Sequence, residues 1–433
     1  MVSSVRIDGS LPDPGDSSTR GLIFSGGWGV DYDFAASPAL RDNWPQRLSG
    51  IGFPAPFDRD LEGALRGRGQ FSQFLYLFKN ARYLRLAAST MAPAGPPEGA
   101  STAANWGLPT DWVGFDAVLP GRGRKIDFCY FFRGNQYIRF EWNADDPSAG
   151  YPWFIGPNWH LPAPFDANVD GVIAGQGAEF TERGYVFARL ALDVDDTGDV
   201  ARPGQASWRV LAPAYARYDF NDEAFAGQED QSRRVTELSE GLLPLLDAGP
   251  AIDTALLWCD AALAALRSPA TPGLSTALGH HFMNPSPSQG ELNAIFDHLQ
   301  RVRRRIDNLP VDFQWTKGLP VPAQTRAGTL TEIGDDFSNL AGPNGRAATL
   351  IHEAVHFIYA GGMTVDVPEW SGATVNGREV GVAGPVAGID VSGIAYRDLT
   401  TTQAIENPSS HAAFAQEMFF RADMRFGAAR PHE

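Results

Sequence analysis

Residues 130–140 read Tyr130-Phe131-Phe132-Arg133-Gly134-Asn135-Gln136-Tyr137-Ile138-Arg139-Phe140. An aromatic strand is followed by a second strand whose alternation turns one face inward. The pattern recurs. Leu22-Ile23-Phe24, Tyr76-Leu77-Phe78 and Tyr185-Val186-Phe187 repeat the first strand, and Tyr83-Leu84-Arg85-Leu86 repeats the second. An Ile/Phe-Asp pair precedes each copy, at Ile7-Asp8, Phe57-Asp58, Phe115-Asp116 and Phe165-Asp166, with spacings of 50, 58 and 50 residues. Asn43-Trp44, Asn105-Trp106 and Asn158-Trp159 close three copies, and Ser207-Trp208 stands in the corresponding place of the fourth. Four short strands per unit of about 50 residues is what a propeller blade requires. Residues 1–212 are therefore expected to form an all-β four-bladed propeller. Its repeated aromatic residues are expected to pack between blades and its aspartates to order turns, so they carry no chemistry of their own.

The 433 residues are 43% hydrophobic and 20% charged, which suits a folded multidomain protein and excludes wholesale disorder. No apolar run approaches the roughly 18 residues of a membrane span, so no transmembrane segment is expected. Met1–Asp8 has no apolar stretch behind its one arginine, and no cleavable secretory signal is expected. Cytoplasmic residence and export by a non-classical route are both left open. The net charge of −16 opposes nucleic acid and anionic membranes as partners. Two cysteines, Cys129 and Cys259, are too few for a disulfide framework and read as buried thiols in separate domains.

The pattern becomes helical beyond about Arg217, with apolar i, i+3, i+4 spacing in Arg233–Leu246, Asp253–Leu266 and Gln289–Ile306. Residues 213–433 are expected to form a second, mainly helical α+β domain, joined through a linker at Ala212–Gln228. Within it lies Thr349-Leu350-Ile351-His352-Glu353-Ala354-Val355-His356-Phe357-Ile358-Tyr359, followed by Gly361-Gly362 as a helix stop. On a helix, His352 and His356 sit one turn apart on one face, where both imidazoles reach one Zn²⁺ and Glu353 faces a metal-bound water. A catalytic zinc takes a third protein ligand. Residue 362 is glycine, so the extended motif with a third histidine is absent. The acidic candidates are Asp366, Glu369, Glu379, Asp390, Asp398, Glu406 and Glu417.

Two resemblances attach to these residues. Phe115-Asp116-Ala117, the 130–140 strand pair and Gly150-Tyr151-Pro152 resemble hemopexin-like repeats, over about residues 1–212. That resemblance implies four blades around a channel that can hold an ion, in a domain that binds a protein or other ligand. The 349–357 helix and Thr401-Thr402-Gln403-Ala404-Ile405-Glu406-Asn407-Pro408-Ser409-Ser410-His411 resemble the deuterolysin-like aspzincins, which include lysine-specific metalloendopeptidases. This resemblance spans roughly residues 250–425 and implies a zincin-type metallopeptidase. It further implies an aspartate as third ligand and a tyrosine as transition-state donor, in a Gly-Thr-x-Asp-x-x-Tyr-Gly stretch. Counted from His356, Thr364-Val365-Asp366 fits the aspartate. Counted back from Asn407, Asp390 fits and Tyr396 takes the tyrosine's place, with a Gly- and Val-rich insertion at Val367–Gly388 between the two registers.

The expected function is zinc-dependent hydrolysis of a protein or peptide substrate. Glu353 serves as general base, His352, His356 and Asp366 hold the metal, and Tyr396 is the donor. The propeller recruits the substrate or a surface. Residues 213–433 carry a net charge of −11, a field that favours basic peptides, in line with the family's preference for Lys after the cleaved bond. The competing reading is a binding protein whose zincin half is degenerate. A secreted effector or toxin is a third reading, about delivery more than chemistry.

Overall fold

The computed structural model describes residues 6–12, 19–35, 44–167, 169–177, 180–194, 208–230, 241–311, 313–319, 321–326, 330–334, 337–338, 342–359, 366, 374–375, 378–379 and 396–422. The chain divides into two compact units, Met1–Gly249 and Pro250–Glu433. Antiparallel sheets fill the first and helices dominate the second.

The first unit holds four sheets. The first contains β1 (Gly9–Pro12), β2 (Arg20–Ser25), β3 (Trp28–Asp33) and β4 (Gln46–Arg47) in that order. The second repeats this with β5 (Gly63–Arg66), β6 (Phe74–Lys79), β7 (Arg82–Ala87) and β8 (Ala100–Ser101), followed by helix α1 (Thr102–Trp106). The third contains β9 (Ala117–Pro120), β10 (Phe128–Arg133), β11 (Gln136–Glu141), β12 (Asp146–Pro147) and β13 (Trp153–Phe154), followed by α2 (Ile155–Trp159). The fourth contains β14 (Gly171–Ala174), β15 (Arg183–Val194), β16 (Trp208–Asp219) and β17 (Ala224–Asp230).

The period is not the alternation of 50 and 58 expected from the Phe-Asp pairs. The first strands open at residues 9, 63, 117 and 171, a constant step of 54. Immediately before each stands an acid, Asp8, Glu62, Asp116 or Asp170, whose N–H donates to the carbonyl of Phe24, Phe78, Phe132 or Phe187. Three of these side chains then cap a hairpin: Asp8 accepts from Gly26 N (2.6 Å), Glu62 from Asn80 N (2.9 Å) and Asp116 from Gly134 N (2.5 Å). Those turns need left-handed residues, and Asn80 and Ala81 both have positive φ, as a type I′ hairpin demands. Phe57 and Phe165 occupy a different place, the preceding turn, where their N–H groups bond to the carbonyls of Pro54 and Pro162. Two structural positions share the Phe-Asp signature, and the sequence reading merged them.

β1, β5, β9 and β14 lie side by side in cyclic succession, β14 again meeting β1. The approach is close: a Cβ on Gly171 would come within 1.6 Å of the Ile7 carbonyl oxygen. Apolar layers fill the spaces between successive sheets. Leu11, Phe24, Leu75 and Leu77 pack between the first and second. Phe78, Trp106, Phe131 and Phe140 pack between the second and third, and Phe132, Trp159, Val172 and Val186 between the third and fourth. Phe34 stacks on Tyr185 with ring centroids 6.4 Å apart, joining first and fourth. Cys129 and Cys259 are buried unpaired thiols, one in each unit.

The fourth sheet corrects two expectations. β15 and β16 are 12 residues each and pair along their whole length, so Trp208 opens a strand rather than closing a blade. Residues 213–230 belong to this sheet and are no linker, which moves the division from 212/213 to 249/250. The register of β16 on β17 adds a bulge at Arg217/Tyr218.

The second unit begins within helix α3 (Leu242–Arg267), which runs on through Pro250 where two separate helices were expected. Residues 233–240 lie outside the described residues. By length and composition, Pro244–Arg267 could cross a membrane, but more than half of it is buried within the protein, as in a core helix. There follow α4 (Leu274–Phe282) and α5 (Gln289–Asp307), the latter opened by a Ser288/Glu291 capping box. A small sheet comes next, of β18 (Phe313–Trp315), β19 (Ala323–Arg326) and β20 (Leu330–Ile333), with β20 central, parallel to β18 and antiparallel to β19. Then come α6 (Gly342–Ile358), the two-residue strands β21 (Thr374–Val375) and β22 (Arg378–Glu379), α7 (Thr401–Glu406) and α8 (Pro408–Phe420). α6 lies against α5, α8 and β19.

Burial pushes the Asp8 carboxyl up to about 7, against the opposing pull of the Gly26 N–H and the Arg6 charge. In the unfolded chain an aspartate titrates at about 4. Between those values the folded form holds a proton that the unfolded form has lost, so stability falls as pH rises from about 4 to about 7. Asp8→Asn keeps an acceptor for Gly26 and is expected to flatten that slope and raise Tm at pH 8. Thermal unfolding of the full chain at pH 5 and pH 8 measures it, and an unchanged slope refutes it.

Candidate metal centre

Helix α6 forms because Ala347, Ala348, Leu350, Ile351, Ala354 and Val355 supply a buried face toward its neighbours. Its hydroxyl at Thr349 returns to the Gly345 carbonyl at 3.0 Å, and the helix ends at Ile358, just before the Gly361-Gly362 stop, which lies outside the described residues. His352 and His356 fall on the remaining face, one turn apart, with ring centroids 4.8 Å apart. Their Nε2 atoms are 3.1 Å from each other. Asp366 joins them, Oδ1 at 3.5 Å from His352 Nε2 and Oδ2 at 3.5 Å from His356 Nε2.

These three separations suit one ion. Bonds of about 2.0–2.1 Å in tetrahedral arrangement place neighbouring ligand atoms about 3.3–3.4 Å apart; the two Nε2 atoms are 3.1 Å apart and each has one Asp366 oxygen, Oδ1 or Oδ2, at 3.5 Å. Two carboxylate oxygens strengthen the case: Glu353 Oε2 and Asp366 Oδ1 are buried with no hydrogen-bond partner among the described residues. A buried carboxylate without a partner is costly unless a cation compensates it. Glu353 is itself held at the backbone, where Thr325 of β19 donates to its carbonyl at 2.9 Å.

The electrostatics follow from burial and from Asp366. Burial pulls the His352 imidazole below its usual value, Asp366 only partly offsetting it. Burial acts on His356 in the same sense, but the hydrogen bond and charge of Asp366, with the charge of Glu353, outweigh it and leave His356 raised. Asp366 is raised by burial and lowered more by the two histidines, ending below the usual carboxylate range. The group thus offers an ionised carboxylate and a neutral imidazole, the forms that bind metal.

Sequence reading missed Ser409. From the first turn of α8 its Oγ lies 3.2 Å from His352 Nδ1, where it can accept the Nδ1–H of the tautomer whose Nε2 is open to a metal. α8 is set for this by Pro408 at its start and by Asn407, whose side chain donates to Ser410 Oγ at 2.8 Å. No spacing rule links position 409 to 352, since only packing of α8 on α6 brings them together. His411, which departs from the family pattern, is a core residue: it is buried, bonded through Nε2 to the Ile405 carbonyl at 2.7 Å, and pushed down to about 3 by burial.

The other candidates are placed elsewhere. The Tyr396 hydroxyl lies 3.1 Å from His281 Nδ1. Glu417 lies 2.7 Å from His281 Nε2. Asp390 and Glu369 fall outside the described residues, and of the 367–388 insertion only the β21–β22 pairing is described.

No family model matches the chain, and no curated protein matches it. Among solved structures, it is similar to the hemopexin-fold protein CP4 from cow pea at 14% identity, covering 50% of this chain and 95% of that one with a TM-score of 0.35. LS24, a seed albumin from Lathyrus sativus, is similar at 15% identity over 52% and 92% of the two chains, TM-score 0.35. A zinc peptidase from Grifola frondosa is similar at 18% identity over 40% and 93%, TM-score 0.28.

Removing the Ser409 acceptor tests the local geometry. Ser409→Ala is expected to weaken zinc binding about 10- to 100-fold, the usual cost of losing such an outer partner, while leaving the fold intact. Competition with a chromophoric chelator measures it, and unchanged affinity would show that Ser409 does not orient His352.

Proposed function

We propose that the second unit is a zinc-dependent peptidase. The observation that carries this reading is the convergence of His352, His356 and Asp366 beside Glu353, whose buried Oε2 has no hydrogen-bond partner among the described residues. His352, His356 and Asp366 would hold the ion. Zinc, when bound, supplies Lewis acidity, lowering the pKa of a bound water to about 7 and polarising the scissile carbonyl.

The residues of the chain do the rest. Glu353 Oε2, with no competing hydrogen bond, accepts the proton of the attacking water and returns it to the leaving amine. Ser409 fixes the tautomer and tilt of His352. Tyr396 has no step in this reading, because its hydroxyl is engaged by His281.

For the first unit we propose a four-bladed propeller that recruits substrate or a surface. Its support is the constant 54-residue step and the cyclic succession of β1, β5, β9 and β14.

Glu353→Gln is expected to keep zinc and to lose about 10²- to 10⁴-fold in turnover on an unfolded protein, the usual worth of a general base. Wild-type cleavage by this variant would remove Glu353 from the mechanism. Absence of zinc from the wild-type chain would favour the competing reading, a binding protein with a degenerate zincin half. The cleavage sites in the same digest give the selectivity, and cutting without dependence on Lys after the bond would refute the preference implied by the resemblance.

A further inference from the structure

A second set of side chains converges between α4 and α8. His280 and His281 stand in the last turn of α4, and Glu417 projects from α8. Glu417 Oε2 is 2.7 Å from His281 Nε2 and 3.1 Å from His280 Nδ1. The adjacent histidines reach the same point with different ring nitrogens, the near one of His280 and the far one of His281. The side chains of His281 and Glu417 are 1% and 8% exposed, that of His280 50%.

Two imidazole nitrogens and one carboxylate oxygen make a donor set suited to Zn²⁺. His281 also has the outer partner that metal-bound imidazoles require, since Tyr396 Oη can accept its Nδ1–H at 3.1 Å. The half-exposed His280 gives an ion its route in from solvent. This group is separate from the His352 centre. Ser409, at His352, and Glu417 are eight residues apart on α8, about 12 Å of helix, whereas paired catalytic metals stand about 3.5–4 Å apart.

We propose that His280, His281 and Glu417 form a second divalent-cation site, occupied by Zn²⁺, that ties α4 to α8. Its role is structural. Three ligands from two helices would fix the end of α4 against the last turn of α8, the helix that also presents Ser409 to His352.

The test is zinc stoichiometry of the chelator-stripped full chain after reloading with Zn²⁺ and gel filtration. Two ions are expected in the wild type, one in His280→Ala or Glu417→Gln, one in His352→Ala/His356→Ala, and none when both groups are altered. In the His352→Ala/His356→Ala background, Zn²⁺ is expected to raise Tm, and adding His280→Ala is expected to abolish that rise. His280 is half exposed, so its replacement leaves the fold available for measurement. Retention of the wild-type count by both His280→Ala and Glu417→Gln would overturn the proposal and leave a hydrogen-bonded trio. A single wild-type ion lost in His280→Ala but kept in His352→Ala/His356→Ala would uphold this site and defeat the peptidase zinc. The reverse pattern would defeat this site alone.

Discussion

Two buried carboxylate oxygens without hydrogen-bond partners among the described residues, on Glu353 and Asp366, set the terms for the second unit. A buried carboxylate oxygen left without a hydrogen-bond partner is unfavourable unless a cation compensates it. The surrounding elements nevertheless hold them there. β19 pins the backbone of Glu353 through Thr325, α8 pins the His352 ring through Ser409, and the apolar face of α6 fixes the helix that carries both. An arrangement that spends stability in this way and converges three ligand atoms is readily understood when a cation belongs among them.

In the first unit the constraint is steric. The opening strands of the four sheets run so close that Gly171 has no room for a side chain, and an acid just before each strand takes up the carbonyl of the second strand through its N–H. Packing then repeats outward from that centre. Trp106 and Trp159 each sit at the end of a short helix and fill the space between neighbouring sheets with their edge-to-face contacts to Phe131 and Tyr130.

Much of this was legible in the sequence, for reasons that differ by residue. Strand pairs such as 128–133 with 136–141 declare themselves through alternation and aromatic content, because both faces meet other sheets. The repeat length was harder: Leu61-Glu62 and Val169-Asp170 occupy the strand-opening position without spelling Phe-Asp, whereas Phe57-Asp58 and Phe165-Asp166 spell it in a turn. His352, Glu353 and His356 were legible because one helical turn fixes their geometry. Asp366 lies close enough in the chain to be found by counting. Ser409, His280, His281 and Glu417 were not, since tertiary packing alone assembles them and no local period records it. Tyr396 was placed by its distance along the chain from Asn407, and its neighbour His281, 3.1 Å from its hydroxyl, was not legible for the same reason.

The 54-residue step also bears on how such a unit tolerates change. Across the first three sheets the second strands open at 20, 74 and 128 and the third at 28, 82 and 136, so the spacing between them is constant. In the fourth sheet the second strand opens at 183, 55 residues after its counterpart, and the third only at 208, 72 after its counterpart. Growth has been accommodated in the hairpin, away from the crowded strand that begins at Gly171. The sheet's outer part is thus where length is added without disturbing the close approach of the opening strands.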